Sequence, residues 1–502
     1  MSETIALGTS LTTDMVVAIA DGAQLVLSQP ARLRIKNSRA IVDALVDRGI
    51  RGYGINTGVG ALCDVIIDRE DQAALSRNLL FSHSCGVGEL LGRVETRAIM
   101  AAQIANFAHG YSGIRLEVVE ALVTLLNNDM LPVIPSRGSV GYLTHGAAIG
   151  LVLIGSGECR HDGKLIPGAE ALAALGLKPL VLQAKEGLSL INGTPCATGL
   201  ASLAVSRLMH LVDWADAAAA MTYVNLGAQT DPFAEVPLSL RKSEGLQQVG
   251  RNLRTLLAGS ALLAEAAGKR TQDPLSLRAV PHVHGAVRDA LVEARAVVDR
   301  ELASVTDNPA VSGSPDDPKV HSQAHAVGAA LGLAMDHLAT AAAELAAISE
   351  RRIDRLVNPL VSGLPAFLAS GSGVESGFMI IQYTAAALVA ENRRLAMPAS
   401  LDGGITSGLQ EDILTHATPA AAKALAILDN LEMVLAIELT AAAQAHDLQS
   451  SKAGKAAMTQ GIYERVRHAV SLYRDDRPLN GDIQQIRTLL KTTAAWAESE
   501  GA

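Results

Sequence analysis

The stretch Leu131-Pro132-Val133-Ile134-Pro135-Ser136-Arg137-Gly138-Ser139-Val140-Gly141-Tyr142-Leu143-Thr144-His145, with Gly150-Leu151-Val152-Leu153-Ile154-Gly155-Ser156-Gly157-Glu158 after it, sets glycines and prolines every few residues against an apolar run. That texture extends through residues 1 to about 200, where Gly52, Gly54, Gly58, Gly60, Gly86, Gly88, Pro132, Pro135, Gly138 and Gly193 punctuate the chain. Such punctuation reads as short helices joined by loops that carry chemistry. Beyond Ala197 the texture changes to long apolar runs with a spacing near 3.6, at 200–223, 246–267, 287–305, 325–356, 380–395, 420–445 and 483–500. Asp307-Asn308-Pro309 stops one of them, because proline cannot continue a helix and biases the residue before it to extended geometry. The predicted fold is mainly α: a loop-rich α region over 1–200, then an elongated long-helix bundle over 201–502. Helices of this length bury their apolar faces against copies of themselves, so a homo-oligomer is expected.

Composition narrows the classes of function. The chain has 502 residues, 49% of them hydrophobic and 19% charged, which suits a large folded core and excludes disorder. Aromatics are only 3%, so burial must come from small and aliphatic side chains on closely packed helices. A net charge of −9 works against a nucleic-acid role, which needs a basic surface to displace counterions. Cys63, Cys85, Cys159 and Cys196 have no zinc-type spacing and read as reduced core thiols. The opening Met-Ser-Glu-Thr-Ile-Ala has neither a basic n-region nor a long apolar h-region, and the apolar stretch 326–347 carries Asp336, His337 and Glu344. A cytoplasmic protein with no membrane partner is expected.

Several fragments resemble sites and carry little. The glycines of Gly52-Tyr53-Gly54-Ile55-Asn56-Thr57-Gly58-Val59-Gly60 lack the Gly-Lys-Ser/Thr ending of a phosphate cradle. His282 with His284, and His321 with His325, have no Glu or Cys at metal-ligand spacing, so no metal is expected.

Seven segments in order form a more specific pattern. They are the Gly138–Gly141 frame, the Tyr53 loop, Asn78-Leu79-Leu80-Phe81-Ser82-His83, Leu190-Ile191-Asn192-Gly193-Thr194, Gln272-Asp273-Pro274-Leu275-Ser276-Leu277-Arg278, Gly377-Phe378-Met379-Ile380 with Glu391-Asn392, and Gln410-Glu411-Asp412. Together they resemble the histidine and aromatic amino acid ammonia-lyase family over nearly the whole chain. The resemblance implies a homotetramer of long helices and a small-molecule amino acid substrate. It implies Tyr53 as the base for a β-proton, His83 and Glu411 against a substrate imidazole, and Asn192 at the amino end. Arg278 would bind the carboxylate, with Gln272, Met379 and Gln410 completing the substrate pocket. Physical chemistry agrees in part: guanidinium is a planar fork for carboxylate, and a phenol with a free pKa near 10 needs a positive field or donors to act as a base.

Two departures bear on mechanism. In the family, Gly-Ser-Val-Gly is followed by Ala-Ser-Gly-Asp, whose first three residues cyclise to a methylidene-imidazolone; here Tyr142 follows Gly141 directly, where the Asp would stand after a three-residue gap. Leu275 stands where the family has a Tyr. Gly141 and Tyr142 thus form the loop that replaces the prosthetic group, and no cofactor is expected. A free amine leaves poorly without activation, whereas a quaternary ammonium needs none. The expected activity is therefore an ergothionase-type elimination, releasing trimethylamine from ergothioneine or a histidine betaine to give thiourocanate or urocanate. Met379 is the nearest soft side chain for the sulfur, and no Lys is on hand for it. The alternatives are a histidine ammonia-lyase whose triad dropped out of the written sequence, and a catalytically silent binding homologue.

Overall fold

The computed structural model describes residues 3–371, 373–401, 404–451, 454 and 456–496. It is mainly helical, as the spacing predicts, and its strands are short. Two compact units divide the chain: Met1–Ser206 with Ala294–Asp336 and Pro398–Ala422, and Arg207–Glu293 with His337–Met397 and Lys423–Ala502. Their boundaries at 206/207 and 336/337 fall inside the helices Pro195–Leu226 and Ala329–Val357, so no linker composition marks them.

In the first unit a parallel strand pair, Thr4–Leu7 with Gln24–Leu27, encloses the helix Thr13–Asp21. The helix Gln29–Asp47 follows, started by Ser28, whose hydroxyl accepts from Ala31 N at 3.3 Å, and by Pro30 in its first turn. The helix Arg93–Ala108 is buried on nearly every face. It carries Arg97, whose guanidinium donates to the carbonyls of Ile19, Ala23 and Leu126 at 2.8, 3.2 and 2.6 Å and to Asp129 at 3.0 Å. A buried charge with four of its five donors used is the form in which burial is tolerated.

Three further helices, Gln72–His83, Leu143–Leu153 and Glu186–Ile191, pack pairwise against one another. Glycines let them approach: a Cβ on Gly187 would lie 2.2 Å from the Ser76 carbonyl oxygen, and one on Gly150 2.6 Å from Leu80. Their ends carry His83, the Gly138–Tyr142 segment and Asn192.

In the second unit the 246–267 expectation is corrected. The chain forms Glu244–Leu257, turns, and restarts as Ala261–Ala266 with Ser260 as its cap. Likewise 325–356 begins with a single 3-10 turn, His325–Val327, before Ala329–Val357. The last helix is Asn480–Thr492; the end of the expected 483–500 run lies outside the described residues. The core of this unit holds a buried polar network. Asp216 binds His284 Nδ1 and Arg288 at 2.7 Å each, while Arg352 is bidentate on Glu438 at 2.6 and 2.8 Å. Thr222 and Ser349 donate to the same Glu438 at 2.9 and 2.6 Å, so the carboxylate is saturated.

Candidate active site

Tyr53 sits on a loop folded back on itself by Asn56, which accepts from Gly52 N at 2.9 Å and donates to Ile50 O at 3.0 Å, and by Thr57, which accepts from Gly54 N at 3.1 Å. Gly54 is required: its φ is +61°, and a Cβ there would come within 2.3 Å of Leu188. The loop therefore rests on the helix that ends at Asn192. The Tyr53 oxygen accepts from Gly60 N at 3.0 Å. A Cβ on Gly60 would lie 3.2 Å from Ser407, and one on Gly408 2.8 Å from Ala61, so this loop also meets the 406–411 turn. Thr406 and Glu411 close that turn with reciprocal main-chain bonds of 2.9 and 3.3 Å, across Ser407, Gly408 and Leu409, all at positive φ. Three successive left-handed residues, two with side chains, store strain of a kind that gathers at functional sites.

Glu411 is thereby brought to Tyr53, and Gln410 stands exposed beside it. Burial raises the Tyr53 phenol above its ordinary value and the Glu411 carboxylate adds to this, while the Gly60 donor opposes both. The positive field expected around the base is thus replaced by one amide donor and a carboxylate. His83, half-buried at the end of its helix, pairs Nδ1 with Ser82 Oγ at 3.0 Å, and burial lowers its pKa, so it is neutral at pH 7.

The Gly138–Tyr142 segment enters the helix Leu143–Leu153 through a buried cluster. Ser139 Oγ lies 2.6 Å from His145 Nδ1 and 2.9 Å from Thr144 Oγ1 and donates to the Tyr142 carbonyl, while Thr418 donates to the Gly141 carbonyl. Burial lowers His145 to about 4. Tyr142 is 1% exposed, its hydroxyl has no hydrogen-bond partner, and burial pushes its ionisation well above the ordinary value. Gly141 also approaches the Gly193 carbonyl, its would-be Cβ being 4.0 Å away, so this loop adjoins the Asn192 loop. Gly193 itself has φ +100°, and a Cβ there would meet Thr306 at 2.8 Å.

Gln272, Arg278 and Met379 belong to the second unit. Arg278 ends the short helix Leu275–Arg278, held by Tyr223 OH donating to Leu277 O at 2.5 Å and by Arg355 Nε donating to Ser276 Oγ at 3.2 Å. Its Nε is buried with no hydrogen-bond partner among the described residues. Gln272 is exposed. Met379 opens the helix Met379–Leu395, whose entry is fixed by Ser376 N and Gly377 N on Asp476 at 2.8 and 2.9 Å. Among the described residues no cluster of metal-ligating side chains occurs. The sequence did not reveal two groups beneath Asn192: Lys185, hidden in the run Leu182-Gln183-Ala184, and Asp307, read there only as part of a helix stop.

A phenol on a glycine loop, with a carboxylate on the adjoining 406–411 turn and a neutral imidazole at the end of a packed helix, is suited to proton-transfer chemistry on a small polar substrate, the equipment of an elimination lyase. The chain belongs to the aromatic amino acid lyase family, whose model matches residues 11–468, and it is a carbon–nitrogen lyase. It is 45% identical over 492 residues to a histidine ammonia-lyase of Symbiobacterium thermophilum, covering 97% of this chain and 96% of that one. Its fold matches the crystal structure of histidine ammonia-lyase from Trypanosoma cruzi with a TM-score of 0.90 at 36% identity, covering 98% and 93% of the two chains. It also matches the ergothionase of Treponema denticola with a TM-score of 0.91 at 28% identity, covering 98% and 99%. The expectation of an ergothionase-type enzyme releasing trimethylamine is corrected by these relatives. The fold is common to both activities, but sequence identity lies with the histidine ammonia-lyases.

Proposed function

We propose that the protein eliminates ammonia from histidine to give urocanate. The observation that carries this reading is 45% identity along nearly the whole chain to a histidine ammonia-lyase. In this reading Arg278 takes the carboxylate as a bidentate fork, His83 and Glu411 hold the imidazole ring, and Tyr53 removes the β-proton. Gln272, Met379 and Gln410 line the substrate.

The family's methylidene-imidazolone is built from three consecutive residues after Gly-Ser-Val-Gly. Here Tyr142 follows Gly141, is fully buried, and leads straight into the helix Leu143–Leu153. The residues present do not fit the group, so the proposed protein forms none and no step passes through it. The reaction then starts from the α-ammonium form of histidine. As Tyr53 takes the β-proton, the C–H electron pair becomes the C=C bond, and the C–N pair leaves with nitrogen as neutral ammonia. Such an elimination depends on how the amino group is held.

We further propose a cytoplasmic homotetramer. The four cysteines are free thiols, of which Cys159 and Cys196 are core as expected while Cys63 is half-buried and Cys85 exposed. The second unit leaves Leu360, Val374, Ile380, Tyr383 and Met397 exposed, apolar surface that a partner copy would cover. Among the described residues two helices, within Glu186–Leu226 and His325–Val357, are long and apolar enough to cross a membrane. In the first, 94% of the apolar window is buried within the fold, against 39% in the second, whose Asp336 accepts bonds from Ala399 N and Ser400 N at 3.0 and 2.9 Å.

The test is the ultraviolet absorbance of the conjugated acrylate, with ammonia release, when the purified protein meets histidine. Absence of turnover would overturn the function. Inactivation by cyanide or borohydride, with a near-ultraviolet band of the prosthetic group, would overturn the proposal that none is formed. Light scattering that finds a monomer at micromolar concentration would remove the tetramer.

A further inference from the structure

Under Asn192 lies a buried ion pair that the proposed reaction does not use. Lys185 Nζ is 2.9 Å from Asp307 Oδ2, and both side chains are wholly inaccessible. Lys185 also donates to Ser189 Oγ at 2.9 Å, and that hydroxyl donates to Ser112 O at 3.0 Å. The Asp307 main chain is pinned as well: Gln323 Nε2 donates to its carbonyl, and Gln323 N to the neighbouring Asn308 Oδ1, each at 2.8 Å.

The free end of this carboxylate meets Asn192. The amide nitrogen of Asn192 donates to Asp307 Oδ1 at 3.2 Å and to the Asn308 carbonyl, which accounts for both its hydrogens. Its Oδ1 accepts from Gly193 N at 2.9 Å and keeps one lone pair. Asn192 is half-buried, so its only open hydrogen-bonding position is that of an acceptor.

The Asn308 carbonyl and the Gly193 N–H already favour the nitrogen inward, but a neutral amide in place of Asp307 could present either end to Asn192 and leave that preference weaker. A carboxylate can only accept, so it compels the nitrogen inward and the oxygen outward. It also draws on the amide's N–H, which makes the oxygen a better acceptor. The carboxylate in turn can be charged in this dry place because Lys185 pairs with it.

We propose that Asp307, held by Lys185, is a positioning residue that fixes Asn192 with its oxygen toward the substrate, so that the amino group is received as an ammonium. This rests on the reading above that Asn192 faces the amino end of histidine. It also supplies what an elimination without covalent activation requires, since an acceptor keeps the nitrogen protonated until the C–N bond breaks.

Two charge-neutral replacements of the pair separate positioning from stability. Lys185→Met with Asp307→Asn keeps an oxygen that can turn to the Asn192 amide, whereas Lys185→Met with Asp307→Ala removes it. The readout compares KM for histidine with the inhibition constant of 3-(imidazol-4-yl)propanoate, which lacks only the amino group. The first variant should keep the wild-type ratio within about threefold, while the second should lose about tenfold or more in KM for histidine with the analogue's constant unchanged, the scale of one hydrogen bond to a charged group. Equal ratios in the two variants, or parallel weakening of both ligands, would overturn the proposal. So would failure of both neutral pairs to fold, which assigns the ion pair to stability alone. Lack of histidine turnover by the unaltered enzyme would instead fault the functional reading.

Discussion

Replacing Tyr142 with Phe removes one oxygen from the turn that leads into the Leu143–Leu153 helix. That oxygen is buried and has no hydrogen-bond partner, so the folded state leaves a hydroxyl dehydrated that water would satisfy on unfolding. The penalty for such a group is about 1–3 kcal/mol. The ring itself is well used: its Cε1 lies 2.8 Å from where a Cβ on Gly146 would stand, and Phe preserves that packing. With an unfolding entropy of about 2.1 cal/mol/K per residue, a chain of 502 residues changes by about 1 kcal/mol per degree, so Tyr142→Phe should raise the Tm by roughly 1–3 °C. Tyr142→Ala is the control, since it discards the ring and should lower the Tm by several degrees, given the roughly 3–5 kcal/mol typical of emptying a large aromatic core site. Differential scanning calorimetry reads both, and histidine turnover should hold in the Phe variant. A lower Tm, or a folded Phe variant without activity, would show that the hydroxyl has a partner or a chemical task and refute the reasoning.

Two other tests bear on the remaining groups. His145, buried and lowered to about 4 from an ordinary value near 6.5, binds its proton more readily unfolded, so stability is full above pH 6.5 and falls as the pH drops toward 4. The loss should reach about 3 kcal/mol from the roughly 2.5-unit gap, and urea unfolding of His145→Asn between pH 7 and 4 should show that slope removed. Arg278→Lys replaces a fork by a point charge and should raise KM for histidine about tenfold or more; an unchanged KM would take Arg278 out of the site.

The helices were legible in the sequence because alanine- and leucine-rich runs keep the 3.6 spacing over many turns, as at Pro195–Leu226 and Ala417–Asp447. The two compact units were not, because four of their five boundaries fall inside such runs, where composition does not change. Tyr53 and Glu411 could be singled out as motif residues. That they share one locality depends on a contact between 60–62 and 407–409, nearly 350 residues apart by number, which no local pattern encodes. Lys185 and Asp307 were hidden for a related reason: Gln183-Ala184-Lys185-Glu186 and Thr306-Asp307-Asn308-Pro309 both read as polar surface, and the partner that allows each charge to be buried lies elsewhere in the chain.

The electrostatics of Tyr53 pose the sharpest constraint on mechanism. In the free protein, burial and the Glu411 carboxylate both disfavour the phenolate, and only the Gly60 amide favours it. A base so placed is almost wholly protonated at pH 7. In the proposed reaction the missing positive charge arrives with the substrate, because Glu411 and Asn192 are both acceptors and select a protonated amino group and a hydrogen-donating ring. A cation held near Tyr53 lowers its pKa, since opposite charge favours the ionised form. The alkaline-rising limb of kcat, which reports the occupied enzyme, should therefore lie at lower pH than that of kcat/KM, which reports the free enzyme once histidine's own ionisations are allowed for. Glu411→Gln should bring the free-enzyme limb down by removing a carboxylate that opposes the phenolate. Tyr53→Phe should abolish both limbs and cost about two or more orders of magnitude in turnover. Coincident limbs in the wild-type enzyme would mean that the substrate does not charge its own base, and the source of the phenolate would have to be sought in groups other than these.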